Sequence, residues 1–249
     1  DIYYFDDFVH NFGNISQSLE FSTNGKFKEN TRFATYVNKP ELIRLWSMVA
    51  DTVLTKDVGY VNDKIPKMET EKAIDVYLPQ SPSLVGIMSA VRAKLDEYEK
   101  MSGKEKKAHS SIPLTAYGIA KRAAIDPRLV DSTADDEPMS KTNKAVDDIV
   151  SDLAKTESYN GVVAVFCDNQ NRKNPDTKIV EFNLFDDMRQ KLIDKGIPAE
   201  QIAIIKSGMS DNLKEKIFEE VNNGDIRVIM GSTQTLGTGV NIQQRLHTL

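Results

Sequence analysis

In VIMGSTQTLGTGVNI, residues 228–242, an apolar run leads into two hydroxyl residues, Ser232 and Thr233, and then into Gly237 and Gly239. A plain strand-to-helix turn needs at most one glycine, to supply a positive φ. A second, in a chain with 13 glycines among 249 residues, points to something outside the chain that must come close to the backbone.

Other chemistries find less support. No GxxxxGK[ST] string is present, so nothing here cradles a triphosphate in the manner of a P-loop. IYYFDD (2–7) has the look of an apolar strand with an acidic, magnesium-holding pair; without an upstream P-loop it reads better as an amphipathic start with Phe5, Phe8 and Phe12 inward. Asp135, Asp136 and Glu137 follow no apolar strand and read as a solvated turn. His10, His109 and His247 lack partners at metal-ligand spacing. Cys167 reads as a small core residue, and the aromatic residues form no base-stacking platform. GTGVNI lacks the third glycine of a dinucleotide fingerprint.

The elements that must position the glycine pair are regular from residue 140 onward. Ser140 caps a helix with Ala145, Ile149 and Leu153 on one face. GVVAVFCD (161–168) reads as a strand buried on both sides, as in a parallel sheet. Phe185, Met188, Leu192 and Ile193 mark a helix stopped by Gly196 and Pro198. IAII (202–205) and IRVIM (226–230) are further strands, separated by a helix from Ser210 or Asp211 through Val221, with Leu213, Ile217, Phe218 and Val221 on one face. This alternation predicts right-handed crossovers and a doubly wound parallel sheet, whose ligands bind at the carboxyl ends of the strands. CDNQN, KSGMSD and GSTQTLGTG leave those ends.

Before residue 140 the pattern is less regular. Pro40 fits the first turn of a helix through Ala50, AIDVYL (73–78) has the pattern of a strand, and a helix is expected over 84–101. KMSGKEKKAHSS (100–111) reads as a solvated loop or helix end, and DSTADDEP (131–138) as a loop at a boundary. The expected organisation is a mostly helical region over 1–72, then an α/β lobe over 73–249.

Composition bounds the reading. Hydrophobic residues make up 40% and charged residues 28%, and the longest apolar run, Val162 to Cys167, is too short to span a membrane. A single cysteine fits a reducing, cytoplasmic setting. The net charge of -5 argues against a broad electrostatic footprint for nucleic acid but leaves room for phosphate contacts through backbone amides and hydroxyls. Asp1 to Phe5 has no basic segment of a signal peptide, and the chain reads as a portion of something larger.

VVAVFCD, IIKSGMSDNLKEKIFEEVNNGDIRVIM and STQTLGTGVNI, taken together, resemble the second RecA-like lobe of superfamily-two helicases, most closely the Swi/Snf-type DNA translocases. The first resembles motif IV, and SGMSD with its helix resembles the segment between motifs IV and V. The third resembles motif V, whose Swi/Snf form runs S-T-x-x-G-G-x-G-I-N-L. Ser232, Thr233, Gly237, Gly239 and Asn241 match that form, and Leu236 stands where it has its first glycine. LTKDVGYVNDKIPKMETEKAIDVYLPQSP (54–82) resembles the entry into the second lobe. FDDFVHNFG (5–13) and TRFATYVNKPELIRLWSMVAD (31–51) are similar to the interlobe region of helicases fused to adenine DNA methylases on mobile elements.

The resemblance implies a RecA-like α/β lobe that binds the DNA backbone and completes an ATP cleft with an upstream lobe of the same chain. Ser207, Gly208, Ser232, Thr233 and Gln234 would face nucleic acid; Gly237, Thr238, Gly239 and Asn241 would face the ATP cleft. The lysine near motif V's partner helix, Lys214 or Lys216, stands near an arginine of many relatives without a clear match. On this reading the P-loop, the acidic motif and the methylase lie upstream of Asp1, and motif VI with its arginine finger follows Leu249. ATP and Mg would belong to the full-length helicase, an ATP-dependent enzyme, and none is expected to bind this portion alone, which would not hydrolyse ATP. The alternative is a non-enzymatic α/β protein-interaction module of a mobile-element protein.

Overall fold

The computed structural model describes residues 4–21, 27–54, 57, 72–237 and 239–249. Thr238, Ile2, Tyr3 and positions 55–56 and 58–71 of the 54–82 passage lie outside the described residues. The chain divides into two compact units, Asp1–Ile74 and Asp75–Leu249.

In the first unit, helix α1 (Phe5–Phe12) runs directly into an antiparallel hairpin of β1 (Gly13–Phe21) and β2 (Phe27–Tyr36), followed by α2 (Lys39–Ser47). The hairpin corrects the expectation of a mostly helical region. Alternating β-branched and aromatic residues in FKENTRFATY suit a strand. Phe8, Phe12, Phe33 and Tyr36 form an aromatic cluster at the hairpin's base, with the Phe33 and Tyr36 rings 5.0 Å apart. Phe12 is buried, but Phe5 is exposed, against the inward placement expected from its spacing. Because Phe5–Asp7 are helical, the described part of IYYFDD forms no strand bearing an acidic pair.

The segment over 73–81, across which the second unit begins, is irregular. AIDVYL therefore forms no strand: Ile74, Val76 and Tyr77 are exposed. Helix α3 (Pro82–Lys100), capped by Ser81, packs on α5 (Ile112–Ile125) through Val91, Leu95 and Ala116. Between them KMSGKEKKAHSS contains a six-residue helix, α4 (Gly103–Ala108), held by a reciprocal Ser102–Glu105 capping box.

The RecA-like part then follows the expected alternation. Helix α6 (Lys141–Lys155) is capped by Ser140, whose side chain accepts from Asn143 N–H. Strand β3 (Val162–Phe166) leads into a short hairpin, β4 (Asn171–Lys173) and β5 (Val180–Asn183), before α7 (Leu184–Asp194). Strand β6 (Ile202–Ile204), α8 (Asp211–Asn223), β7 (Val228–Gly231), the single-turn α9 (Thr233–Leu236) and β8 (Leu246–Thr248) complete the chain.

The four strands form a parallel sheet in the order β6-β7-β3-β8. Successive side chains of β7 face opposite ways, as a strand dictates. Val228 and Met230 join Val163, Ile202 and the apolar stripes of α6 and α7, while Ile229 joins Val162, Ala164, Val221, Leu236 and Ile242 on the other face. Two cores on opposite sides of one sheet make the fold doubly wound. Burying a side chain such as Ile229 on this scale is worth about 1.5–3 kcal/mol. Ile217, Phe218 and Val221 of α8 pack on the second core as expected, but Leu213 is largely exposed.

Candidate nucleic-acid interface

All three polar connections leave the carboxyl edge of the sheet and meet there. Asp168 and Gln170 follow β3, Ser207 follows β6, and Ser232 to Thr235 follow β7; together with Ile205 they line an open depression of about 650 Å³. Parallel strands in adjacent register bring this about: Phe166 lies beside Gly231, and Ile204 beside Met230.

The turn of α9 is stitched to both neighbours. Its own capping box is reciprocal, because Thr235 N–H donates to Ser232 Oγ at 3.2 Å and Ser232 N–H donates to Thr235 Oγ1 at 3.0 Å. Toward β3, Thr233 N–H donates to Asp168 Oδ1 at 2.8 Å and Thr233 Oγ1 donates to Asp168 Oδ2 at 3.1 Å. Toward β6, Thr235 Oγ1 reaches the Ile205 carbonyl at 3.4 Å. The amide hydrogens of Ser232 and Thr233 are thus already engaged within the protein. By contrast, the Ser207 hydroxyl and the Gln234 side-chain amide are exposed and form no hydrogen bond among the described residues.

The glycines have different reasons for being glycine. Gly237 has φ -90°, which any residue adopts, but a Cβ there would lie 2.5 Å from the Thr233 carbonyl oxygen. The tight end of α9 excludes a side chain. Gly239 (φ 73°) and Gly208 (φ 85°) have open space around them and instead need the left-handed region. Both leave the backbone bare toward solvent.

A second depression, of about 550 Å³, opens on the far side of α9, with Gly239, Val240, Asn241, Phe218 and Asn222 in its wall. It shares Gln234 and Thr235 with the first. Asn222 Nδ2 donates to the Asn241 carbonyl at 2.8 Å, fixing the loop against α8, and the Asn241 side chain stays exposed. Asp211, Glu215 and Glu219 share this wall with one ammonium, that of Lys214. Such an acidic lining does not by itself fit a nucleoside triphosphate with its magnesium, and among the described residues no group of three His, Cys, Asp or Glu is placed to hold a metal ion.

Sequence reasoning singled out Ser207, Gly208, Ser232, Thr233 and Gln234, and the structure brings these to one edge, with Gly237, Gly239 and Asn241 turning away behind α9. It missed Asp168 and Gln170, although CDNQN was recognised as a polar segment. The signal was a carboxylate at the last turn out of a buried strand. Cys167, half-buried beside them, packs against the first core, and burial raises its thiol pKa, as suits a core residue.

The acidic run 135–137 is only in part the solvated turn expected: Asp135 and Asp136 are exposed, but Asp136 and Glu137 are also engaged with neighbouring elements. Asp136 pairs with Arg128 at 3.3 Å and with Lys191 at 2.7 Å, and Glu137 accepts from Ser83 N–H at 3.1 Å. These contacts tie the α5–α6 connection to α7 and to the start of α3.

No curated protein and no solved structure matches the chain. Residues 143–248, the segment that holds the parallel sheet and all three polar connections, match the family model described as the helicase conserved C-terminal domain, which supports a helicase C-terminal lobe.

Proposed function

We propose that the chain is the second motor lobe of an ATP-dependent DNA helicase or translocase of the Swi/Snf type. Its carboxyl edge holds the sugar-phosphate backbone, and the Gly239–Asn241 rim closes an ATP cleft whose phosphate- and magnesium-binding groups belong to an upstream lobe. The setting is a cytoplasmic methylase-helicase of a mobile element, on the resemblance of 5–13 and 31–51. The observation that carries the proposal is the convergence of Ser207 and Ser232–Gln234 from separate strands on one open depression, inside the segment that matches the helicase family.

The chemistry favours backbone over base recognition. Hydroxyl and amide side chains make up most of the polar lining of the depression, and no aromatic face is among them. Such groups contact phosphate and sugar oxygens without reading sequence. Since α9 separates the two depressions and lines both, a shift of this single turn is felt on each side. That is the property a lobe coupling two ligands needs.

The test is fluorescence anisotropy of a labelled 20-nucleotide DNA with the full chain over a series of salt concentrations. Weak binding that falls as salt rises, and falls by about 3–10-fold on Ser207→Ala or Gln234→Ala, supports the reading. Binding indifferent to salt and to both substitutions rejects it. A protein-interaction module is the second reading, favoured by the exposed Ile43, Trp46, Met48 and Val49 around α2; it predicts no DNA binding at any salt.

A further inference from the structure

We infer that Asp168 is an internal competitor of the nucleic-acid backbone, occupying the Thr233 hydrogens that a phosphate would otherwise take. This rests on the proposed nucleic-acid reading and deepens it by assigning a device that controls access to the site.

Three observations carry the inference. First, the Asp168 carboxylate uses one oxygen for Thr233 N–H (2.8 Å) and the other for Thr233 Oγ1 (3.1 Å), the two-pronged contact by which an anion is held. Second, the contact lies at the solvent edge: Asp168 and Thr233 are both exposed, so another anion can reach the same hydrogens. Third, among the residues lining the depression, Asp168 carries the one ionisable side chain, and its charge is negative. The other polar liners, Gln170, Ser207, Ser232, Gln234 and Thr235, are neutral. A phosphodiester entering this depression meets a like charge and finds the Thr233 donors taken.

Binding at Thr233 therefore requires Asp168 to swing away, and the turn of α9, pinned between β3 and β6, is then released on its β3 side. The backbone is held first by the free groups, the Ser207 hydroxyl and the Gln234 amide. Asp168 weakens the resting grip and makes engagement of Thr233 a distinct second state. In a motor that must release and regrip, a gripping surface with its own competitor avoids permanent attachment.

The experiment compares the full chain with Asp168→Asn, Asp168→Ser and the double variant Asp168→Asn with Thr233→Val, titrating a labelled 20-nucleotide DNA at low and moderate salt. Thermal unfolding is followed in parallel. Asn keeps an acceptor for Thr233 N–H while removing the charge. The inference predicts about tenfold tighter binding for Asp168→Asn and Asp168→Ser at low salt, a gain that shrinks as salt screens the charge, and loss of most of that gain in the double variant. Binding equal to or weaker than wild type in the folded neutral variants overturns the inference while leaving the nucleic-acid reading intact. If both neutral variants unfold, Asp168 is a structural staple and the inference is overturned. Absence of DNA binding by wild type and every folded variant overturns the nucleic-acid reading and the inference together.

Discussion

Arg128 and Asp187, 59 residues apart, meet fork to fork: Nη1 donates to one carboxylate oxygen at 3.1 Å and Nη2 to the other at 3.0 Å. The same guanidinium donates to Asp126 through Nε at 3.0 Å and Nη2 at 2.8 Å, and lies over the Phe182 ring at 4.8 Å. One side chain thus joins the α5–α6 connection, the β4–β5 hairpin and α7. Its own pKa is raised: burial opposes the charge, but hydrogen bonds to Asp126 and Asp187 outweigh it. Removing it strands the Asp126 carboxylate, which is nearly fully buried. Arg128→Met is expected to cost about 3 kcal/mol, because an unpaired buried charge remains, and Asp187→Asn about 1 kcal/mol. Urea unfolding curves of the full chain measure both.

Asp126 also sets the acid limit of this junction. Burial pushes its carboxyl pKa up, but hydrogen bonds from Arg128 and from Thr142 Oγ1, at 2.8 Å, outweigh that and hold it below the ordinary value. A group whose folded pKa is depressed stabilises the fold above its unfolded pKa, about 3.9 for aspartate, and the contribution is lost as pH falls through the folded value. Thr142→Val removes one donor and raises the folded pKa toward the unfolded one. The acid-unfolding midpoint, followed by circular dichroism, should therefore move to higher pH, with a loss of about 1 kcal/mol at neutral pH. An unchanged midpoint would show that Thr142 does not hold the carboxylate.

Gly237 and Gly239 should respond differently to substitution. Gly237→Ala drives a Cβ into the Thr233 carbonyl and forces α9 to shift, at about 1–3 kcal/mol. Gly239→Ala meets no atom but must hold a left-handed backbone, at about 1–2 kcal/mol, and Gly239→Asn should recover part of that loss because asparagine tolerates the region. No asparagine rescue is expected at Gly237. Thermal midpoints of the four variants with wild type test the contrast.

The sheet and its flanking helices were legible where periodicity was strong. VVAVF and VIM are continuous apolar runs because both faces of β3 and β7 are covered, and α6 and α7 show their stripes at helical spacing. Strand β8 escaped notice because three residues of LHT carry no pattern and gain their role from pairing with β3. AIDVYL misled because its alternation finds no strand to pair with among the described residues. The 103–108 helix owes its existence to one capping box rather than to an apolar face, and the hairpin over 171–183 to a turn in which Asn174 Oδ1 accepts from the amides of Asp176 and Thr177.

At the candidate site, residue types and strand ends were legible and their pairing was not. Spacing placed Ser232, Thr233 and Ser207 on one edge, but Asp168 lies 65 residues from the threonine it binds. Likewise Asp136 pairs with Lys191 across 55 residues only because α7 packs beside the α5–α6 connection.

The central claim is that the carboxyl edge around Ser207 and Gln234 holds a polynucleotide backbone. Hydrogen–deuterium exchange of the full chain with and without a 20-nucleotide DNA tests it most directly. The account predicts slowed exchange over 206–209 and 232–236, with the 103–108 helix unchanged. Protection confined to other segments, or none at DNA concentrations that saturate the anisotropy signal, would contradict it.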